Sequence, residues 1–382
     1  MDFSLSEEQE AVRDLARQIF SEGATHERLT ALAKSGEWFD LALWKTLADA
    51  NLPGVALPES CGGSGLSALE LALVLEEMGR HVAPVPLLAT AVLGAAPIAE
   101  FGSDAQRARW LAPVVDDAAI LSAALVETGS SDPSVPHTTA RREGSGWRID
   151  GEKICVPAGL LARALLVPAA TEGGVGVFIV EPDAEGVELE RQVVTSGEPQ
   201  ARLLLDGVRV GDDAVLGDPG GGARGGASIV NWLVARTSLA LAAIQVGVAE
   251  GALTHTAKYV SERRQFDRPI ATFQGVALRA ADAWIDVECL RATVLQAAWR
   301  ISAGRPAEAE IAAAKWWAAT AGMRVVHTAQ HLHGGIGSDM EYPIHRYFLW
   351  AKQNELLFGG ASQQLASLGA RLVSDERLGA EA

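Results

Sequence analysis

Through the first third of the chain, apolar residues recur at helical spacing. Leu15, Ala16 and Ile19 follow a start signal in which Ser6 stands three residues before Gln9, a capping box that satisfies N–H groups left over at a helix N-terminus. The same signal returns at Ser67 with Glu70 and at Ser103 with Gln106, the latter ahead of Trp110 and Leu111. Breaks rich in Pro and Gly, Leu52 to Gly65 and Ala83 to Pro86, separate these elements. From about Ile120 the pattern changes to short β-type runs: Leu121 to Val126, Trp147 to Ile149, Ala164 to Val167, Val175 to Val180 and Ala201 to Val210. They predict a small, mostly antiparallel β domain. Helical spacing then resumes, with one element from about Ala227 to Ser261, roughly 50 Å long if continuous. Two more cover Phe273 to Ala303 and Pro306 to His331, and a last one crosses the C-terminus.

The expected architecture is mainly α with a β domain between two helical parts: an N-terminal α-helical domain over 1–119, a middle β domain over 120–218 and a C-terminal bundle over 219–382. Long, Ala-rich helices bury several faces, so the bundle should carry an oligomer interface.

Composition narrows the function. The 382 residues are 48% hydrophobic, enough for a sizeable core in two or three packed units. Cys61, Cys155 and Cys289 have neither disulfide nor metal spacing, which fits a reducing, cytoplasmic compartment. A net charge of −16 argues against nucleic-acid binding, which needs clustered cations to displace counterions. No basic, apolar leader precedes the first polar helix. The most apolar segment, Ile229 to Ala249, is interrupted by Asn231, Arg236 and Gln245 and reads as a buried core helix rather than a span of ~20 residues.

Three motifs have a functional and an ordinary reading. Gly220 to Gly226 lacks the Lys-Ser/Thr ending of a phosphate loop and reads as a domain connector. His327 and His331 would share a helical face, but no acid or Cys follows at ligand spacing, so no metal is expected; with His333 they suit a loop entering a flavin or subunit interface. Arg263-Arg264-Gln265-Phe266, followed by Arg268-Pro269-Ile270 and Phe273-Gln274, is either a solvated helix end or a pyrophosphate and adenine site, and residue chemistry alone leaves both open.

The segment Tyr259 to Ile270, Phe273-Gln274, His333-Gly-Gly-Ile-Gly, Glu341-Tyr-Pro and Arg346 together resemble the C-terminal signature of acyl-CoA dehydrogenases. Pro58 to Gly65 resembles the family's Pro-Glu-x-x-Gly-Gly segment, and Gly151-Glu-Lys its middle-domain hairpin. The resemblance implies N-terminal helices, a middle β-sandwich or barrel and a C-terminal four-helix bundle. In active members FAD lies between the β domain of one subunit and the bundle of its neighbour. A Glu removes the α-proton of an acyl-CoA thioester as the β-hydride passes to the flavin. Carried over, Arg263, Phe266 and Gln274 match positions holding the adenine and pyrophosphate half of FAD, and Gly334 and Gly335 match the loop beside it. His331 stands where the family usually has Gln, and Asp267 where it usually has Gly.

The chain also departs from the family pattern. Spacing from Gly335 puts Phe358 at the usual base position, with Glu355 one turn upstream as the alternative. The family's second base location, near Arg236 to Ser238, lies in a stretch from Pro219 to Ala249 without Asp or Glu. The Trp and Thr that contact the isoalloxazine correspond to Cys155 and Pro157, and proline supplies neither hydroxyl nor N–H. The Thr-Glu-Pro-x-Ala-Gly-Ser-Asp motif has become Val126-Glu-Thr-Gly-Ser-Ser-Asp, one residue shorter. The expected role is the base-lacking subunit of a heteromeric acyl-CoA dehydrogenase acting on a steroid side-chain or other bulky acyl-CoA. A paralogous subunit would share the FAD, and an electron-transfer flavoprotein would accept the electrons. A self-sufficient dehydrogenase with a relocated base and a noncatalytic acyl-CoA-binding scaffold are the alternatives.

Overall fold

The computed structural model describes residues 3–130, 132–218 and 224–374. They form two compact units, each discontinuous in sequence: the described parts of Met1–Gly36, Ala68–Ala83 and Ser238–Ala382 make one, and Glu37–Ser67 with Pro84–Thr237 the other. In chain order the first helices are α1 (Glu7–Gly23), α2 (His26–Ser35), α3 (Leu41–Asp49) and α4 (Ala68–Arg80). The capping box at Ser6 and Gln9 is present with both reciprocal bonds. A π-helical segment, Leu88–Ala95, then runs into α5 (Ala96–Phe101), followed by α6 (Asp104–Trp110) and α7 (Ala112–Asp116). The box at Ser103 and Gln106 opens α6, and the Gln106 amide also donates to the carbonyls of Asp213 and Val215, fixing α6 to the β domain's last turn.

The strands are β1 (Leu121–Ala123), β2 (Thr139–Glu143), β3 (Gly146–Val156), β4 (Ala164–Thr171), β5 (Gly174–Val180), β6 (Val187–Val193), β7 (Pro199–Gly211) and β8 (Val215–Leu216). They form one eight-stranded sheet in the order β6-β7-β3-β2-β4-β5-β8, with β1 parallel on β4. Along this strand order the two halves, β6-β7-β3-β2 and β4-β5-β8, are joined through the single described parallel pair Thr139 and Ala170. The sandwich or barrel expectation is thus met by one sheet that almost divides in two. Sequence patterning missed β2 and β6 because their polar, exposed residues (Arg141, Arg142, Glu188, Glu190) hide the alternation.

The bundle consists of α8 (Gly226–Glu262), α9 (Gln274–Ser302), α10 (Glu308–His333), α11 (Ile344–Leu356) and α12 (Ala361–Ser374), with a short hairpin, β9 (Arg264–Gln265) and β10 (Arg268–Pro269), between α8 and α9. The single C-terminal helix expected from the sequence is two, because the chain turns at Leu357–Gly360. The helix α8 is 37 residues long, and its most apolar window is 78% buried, as expected of a core helix. Of the glycine-rich connector, residues 220–223 lie outside the described residues, and Gly226 already starts α8.

Within the helical unit, α4 and α8 cross at glycines. A Cβ on Gly247 would overlap the Glu76 carbonyl, and one on Gly79 the Ile244 carbonyl, so only hydrogen side chains allow this approach. Beside the crossing, Arg80 bonds Glu76 and Glu77 at 3.0 Å each and also Glu250. Arg291 of α9 bonds Glu76 at 3.2 Å together with Glu250 and Glu288, and Arg17 of α1 reaches Glu77 at 2.9 Å. Burial pushes the Glu76 carboxyl above its ordinary value although Arg291 and Arg80 oppose the shift. Arg346, one of the signature residues, bonds His26 Nδ1 and Thr30 Oγ1 of α2, both at 3.0 Å.

Candidate functional site

Arg263, Phe266 and Gln274 are brought together at the exposed end of α8. The hairpin turn consists of Phe266 (φ +52°) and Asp267 (φ +64°), a two-residue turn with both residues left-handed. That explains why a Gly-like position accepts Asp, which visits this region more readily than most residues. Phe266 lacks that tolerance and is 87% exposed, its ring meeting Phe273 edge-on at 6.2 Å. The Arg268 guanidinium lies over Phe273 at 4.2 Å. Gln274, the first residue of α9, is exposed beside them. Cation, aromatic face and amide thus point to solvent from one corner.

His331, Gly334 and Gly335 lie at the end of α10. His331 and Gly334 line a groove of about 1470 Å³ together with His327, Arg279, Arg324 and Ser338. A Cβ on Gly334 or Gly335 would meet nothing within 4 Å, so the loop presents bare backbone to open space. His327 and His331 share a face, as their spacing predicts, and His327 packs edge-on to Phe348 at 4.9 Å. His333 does not join them. It is 3% exposed, donates from Nδ1 to the Ala329 carbonyl at 2.8 Å and stacks on Tyr259, and burial lowers its pKa. Its Nε2 is buried without a hydrogen-bond partner.

The segment that resembles the family's base turn follows α11. Leu357 is extended, Phe358 has φ +54° and Gly359 φ +97°. The turn's polar groups are used locally: Gln364 Nε2 donates to the carbonyls of Phe358 (2.9 Å) and Gly359 (3.3 Å), and Gly360 N–H donates to Gln363 Oε1 at 3.1 Å. No acid lies on it. Glu355 is on α11, and its carboxylate is held by Lys352 at 2.7 Å. On α8, Arg236 lies over the Trp232 ring and Thr237 Oγ1 donates to the Leu233 carbonyl, so no carboxylate stands at the second location either. Lys315 of α10, which belongs to no sequence motif, donates to the carbonyls of Asn354 and Glu355 just before the turn.

In the β unit, the hairpin that carries Cys155 and Pro157 is anchored by a buried ion pair. Lys153, with no exposed surface, meets Glu127 at 2.6 Å. Glu127 also accepts from Thr138 Oγ1 (2.6 Å) and from the N–H groups of His137 (2.5 Å) and Thr138 (3.0 Å). Burial pushes its pKa up, but Lys153, Thr138 and these amides outweigh that and hold it at about 2. Glu127 is the second residue of the altered Val126–Asp132 segment, of which Ser131 lies outside the described residues. Cys155 takes φ +51°, its N–H donates to Gln192 Oε1 at 2.9 Å, and burial pushes its thiol up. Pro157 is buried, and its carbonyl accepts from Ser122 Oγ at 2.5 Å. Glu198, without any sequence signal, keeps some surface, yet its carboxyl lies deep enough to be pushed up to about 7 although Gln200 and Ala158 N–H favour the anion.

The two sets of residues that the resemblance assigns to FAD therefore differ in fitness. The donor set Arg263, Gln274 and His331, with the open Gly334-Gly335 backbone, suits the pyrophosphate and adenosine half of FAD. The hairpin does not suit the ring half: Pro157 has no donor, and the Cys155 N–H is consumed by Gln192.

Comparison with known proteins identifies the family. Models of the acyl-CoA dehydrogenase N-terminal and C-terminal domains match residues 6–118 and 224–373. Acyl-CoA dehydrogenase FadE27 of Mycobacterium tuberculosis is 39% identical over 381 residues, covering 98% of this chain and 99% of its own length. Among solved structures, a variant of the Tcur3481-Tcur3483 steroid ACAD is 45% identical with a TM-score of 0.90, over 97% of this chain and 99% of that one. The ChsE4-ChsE5 complex from Mycobacterium tuberculosis is 39% identical with a TM-score of 0.91, over 98% and 100%. The chain belongs to the acyl-CoA dehydrogenase family, FAD-binding oxidoreductases acting on the CH–CH bond of acyl-CoA thioesters.

Proposed function

We propose that this chain is the base-lacking subunit of a heteromeric acyl-CoA dehydrogenase, and that it lends the adenosine-side contacts to an FAD whose ring is held by a paralogous subunit. The observation that carries the reading is the turn Leu357–Gly360, which has no carboxylate. Counted from Gly335, the base position is Phe358. Glu355 is a poor substitute because Lys352 already holds it. Abstraction of a weakly acidic α-proton needs a free carboxylate beside the thioester.

When bound, FAD supplies the acceptor for the β-hydride. Toward it, Arg263 would neutralise pyrophosphate charge, Phe266 and Gln274 would contact the adenine side, and His331 with the exposed backbone of Gly334 and Gly335 would line the remaining edge. Covering by a partner also accounts for an otherwise unfavourable phenyl ring left 87% exposed. One similar structure is named as the ChsE4-ChsE5 complex and another as the Tcur3481-Tcur3483 steroid ACAD, which supports a paralogous partner and a bulky, steroid-type acyl-CoA. In this reading an electron-transfer flavoprotein takes the electrons and the complex works in the cytoplasm.

The test is FAD stoichiometry and flavin absorbance of the chain expressed alone and with a paralogous dehydrogenase subunit. The reading expects no flavin alone and about one FAD per pair together, since only the assembled site binds. A full equivalent in the isolated chain, bleached by an acyl-CoA, would overturn it.

A further inference from the structure

We propose that Lys315 is a positioning residue: it fastens the last turn of α11 and thereby fixes where Phe358 and Gly359 emerge. The inference rests on the reading that Leu357–Gly360 occupies the family's base turn, and it gives that turn a built support.

Lys315 lies on α10, about three turns before His327 in the groove wall, and has no exposed surface. Its Nζ donates to the carbonyl of Asn354 at 2.7 Å and that of Glu355 at 3.1 Å. Those two carbonyls belong to the end of α11, where the last four C=O groups of a helix have no partner in their own helix. A cation there also meets the negative end of the helix dipole. Asn354 is fixed a second time, since its Nδ2 donates to Gln245 Oε1 of α8 at 3.1 Å, and Gln245 lies pressed against Gly322 of α10, where a Cβ would overlap its amide. Three helices are therefore tied at Asn354 and Glu355, one residue short of the turn.

Burying an ammonium with two carbonyls as its acceptors among the described residues is unfavourable for packing alone, and an apolar side chain of similar length would fill the same volume. Burial pushes the Lys315 pKa down to about 7, opposed by the nearby Glu355 carboxylate, which Lys352 holds. Among the described residues, the polar side chains that bond at this end are the uncharged Gln245 on α8, Asn354 on α11, and Gln363 and Gln364 on α12, the last two on the far side of the turn. The turn is thus gripped from both ends, by Lys315 before Leu357 and by the two glutamines after Gly359.

The alternative role for Lys315 is purely structural, and local and global readouts separate the two. Lys315→Met keeps the volume but leaves both carbonyls without a donor, a deficit the chain relieves by fraying the last turn of α11. In the purified assembly, hydrogen exchange should therefore rise tenfold or more at the Leu357 and Gly359 amides, which bond Gln353 O and Leu356 O, while exchange along the middle of α8 stays unchanged. A fluorinated phenylalanine at position 358 should shift its 19F resonance in the same variant. Gly359→Ala, which disturbs the turn without touching Lys315, sets the ceiling for both signals. If exchange at the turn stays within twofold and the 358 resonance does not move, the proposal is overturned. It is equally overturned if exchange rises evenly over the bundle. Should Lys315→Met not fold, the wild-type protein carries the test. Fraying hydrates Lys315 and raises its affinity for protons, so turn protection, corrected for intrinsic exchange, must rise with pH above about 7. A flat profile would overturn the proposal. None of these readouts uses flavin, so their failure leaves the FAD stoichiometry test standing, and the converse holds too.

Discussion

Replacing Lys153 with methionine isolates what the buried pair beneath the Cys155–Pro157 hairpin contributes. The substitution conserves length and apolar contact but removes the ammonium 2.6 Å from a carboxylate whose side chain is 4% exposed. Deleting one partner of such a pair typically costs about 3–5 kcal/mol, because the other charge remains buried. Glu127 keeps Thr138 Oγ1 and two backbone N–H groups, which places the expected loss at the lower end, about 3 kcal/mol. The pH dependence gives an independent figure of the same size. A carboxyl held at about 2 in the fold, against 4.5 in the open chain, contributes about 3 kcal/mol. Since the folded pKa is depressed, that stability is fully present above 4.5 and is lost as pH falls toward 2. Urea unfolding followed by tryptophan emission would read the loss near neutral pH, and the gap to wild type should shrink on acidification as both proteins protonate Glu127. Adding Glu127→Gln should recover most of the loss, because the amide oxygen still accepts while no charge remains. A loss under about 1 kcal/mol, or one independent of pH, would refute the argument.

Other perturbations follow from the same structure. Arg291→Met leaves Glu76 and Glu250 short of a counter-charge and should cost about 3–5 kcal/mol at neutral pH. Because the Glu76 pKa is already raised, that loss should diminish in mildly acidic urea titrations, where the carboxyl becomes neutral. Gly247→Ala should abolish stable assembly, since its methyl would overlap the α4 backbone, and size-exclusion chromatography with circular dichroism would register this. Lys315, at about 7 in the fold against 10.5 in the open chain, should make stability rise with pH between those values by up to ~5 kcal/mol, and Lys315→Met should remove the rise. Arg263→Ala should lower FAD retention by the coexpressed pair without changing the melting of its flavin-free form, measured by absorbance after gel filtration.

Local signals explain how much could be read without coordinates. The capping boxes at Ser6 and Ser103 reveal themselves because every partner lies within four residues, and α8, α9 and α10 because unbroken apolar spacing over 26 to 37 residues has no competing reading. The absence of a carboxylate from Leu356 to Val373 is likewise a property of the chain itself. The sequence left open whether the Arg263 segment is a solvated helix end, and the geometry explains why: the same residues are both, exposed at a helix terminus and gathered with Phe266 and Gln274 by a left-handed turn.

Tertiary structure decided what depends on distant partners. Lys153 and Glu127 are 26 residues apart and Lys315 and Asn354 39, so nothing near either lysine in sequence announces that it is buried or what it bonds. Glu198 is an ordinary acid in a turn until neighbouring chain encloses its carboxyl. The sheet's near division at Thr139 and Ala170, the split of the C-terminal helix at Leu357 and the sorting of His333 into the core away from His327 and His331 have the same origin. Hydrophobic spacing and caps act over one or two turns and are written in consecutive residues, whereas desolvation and ion pairing depend on which segments folding brings together.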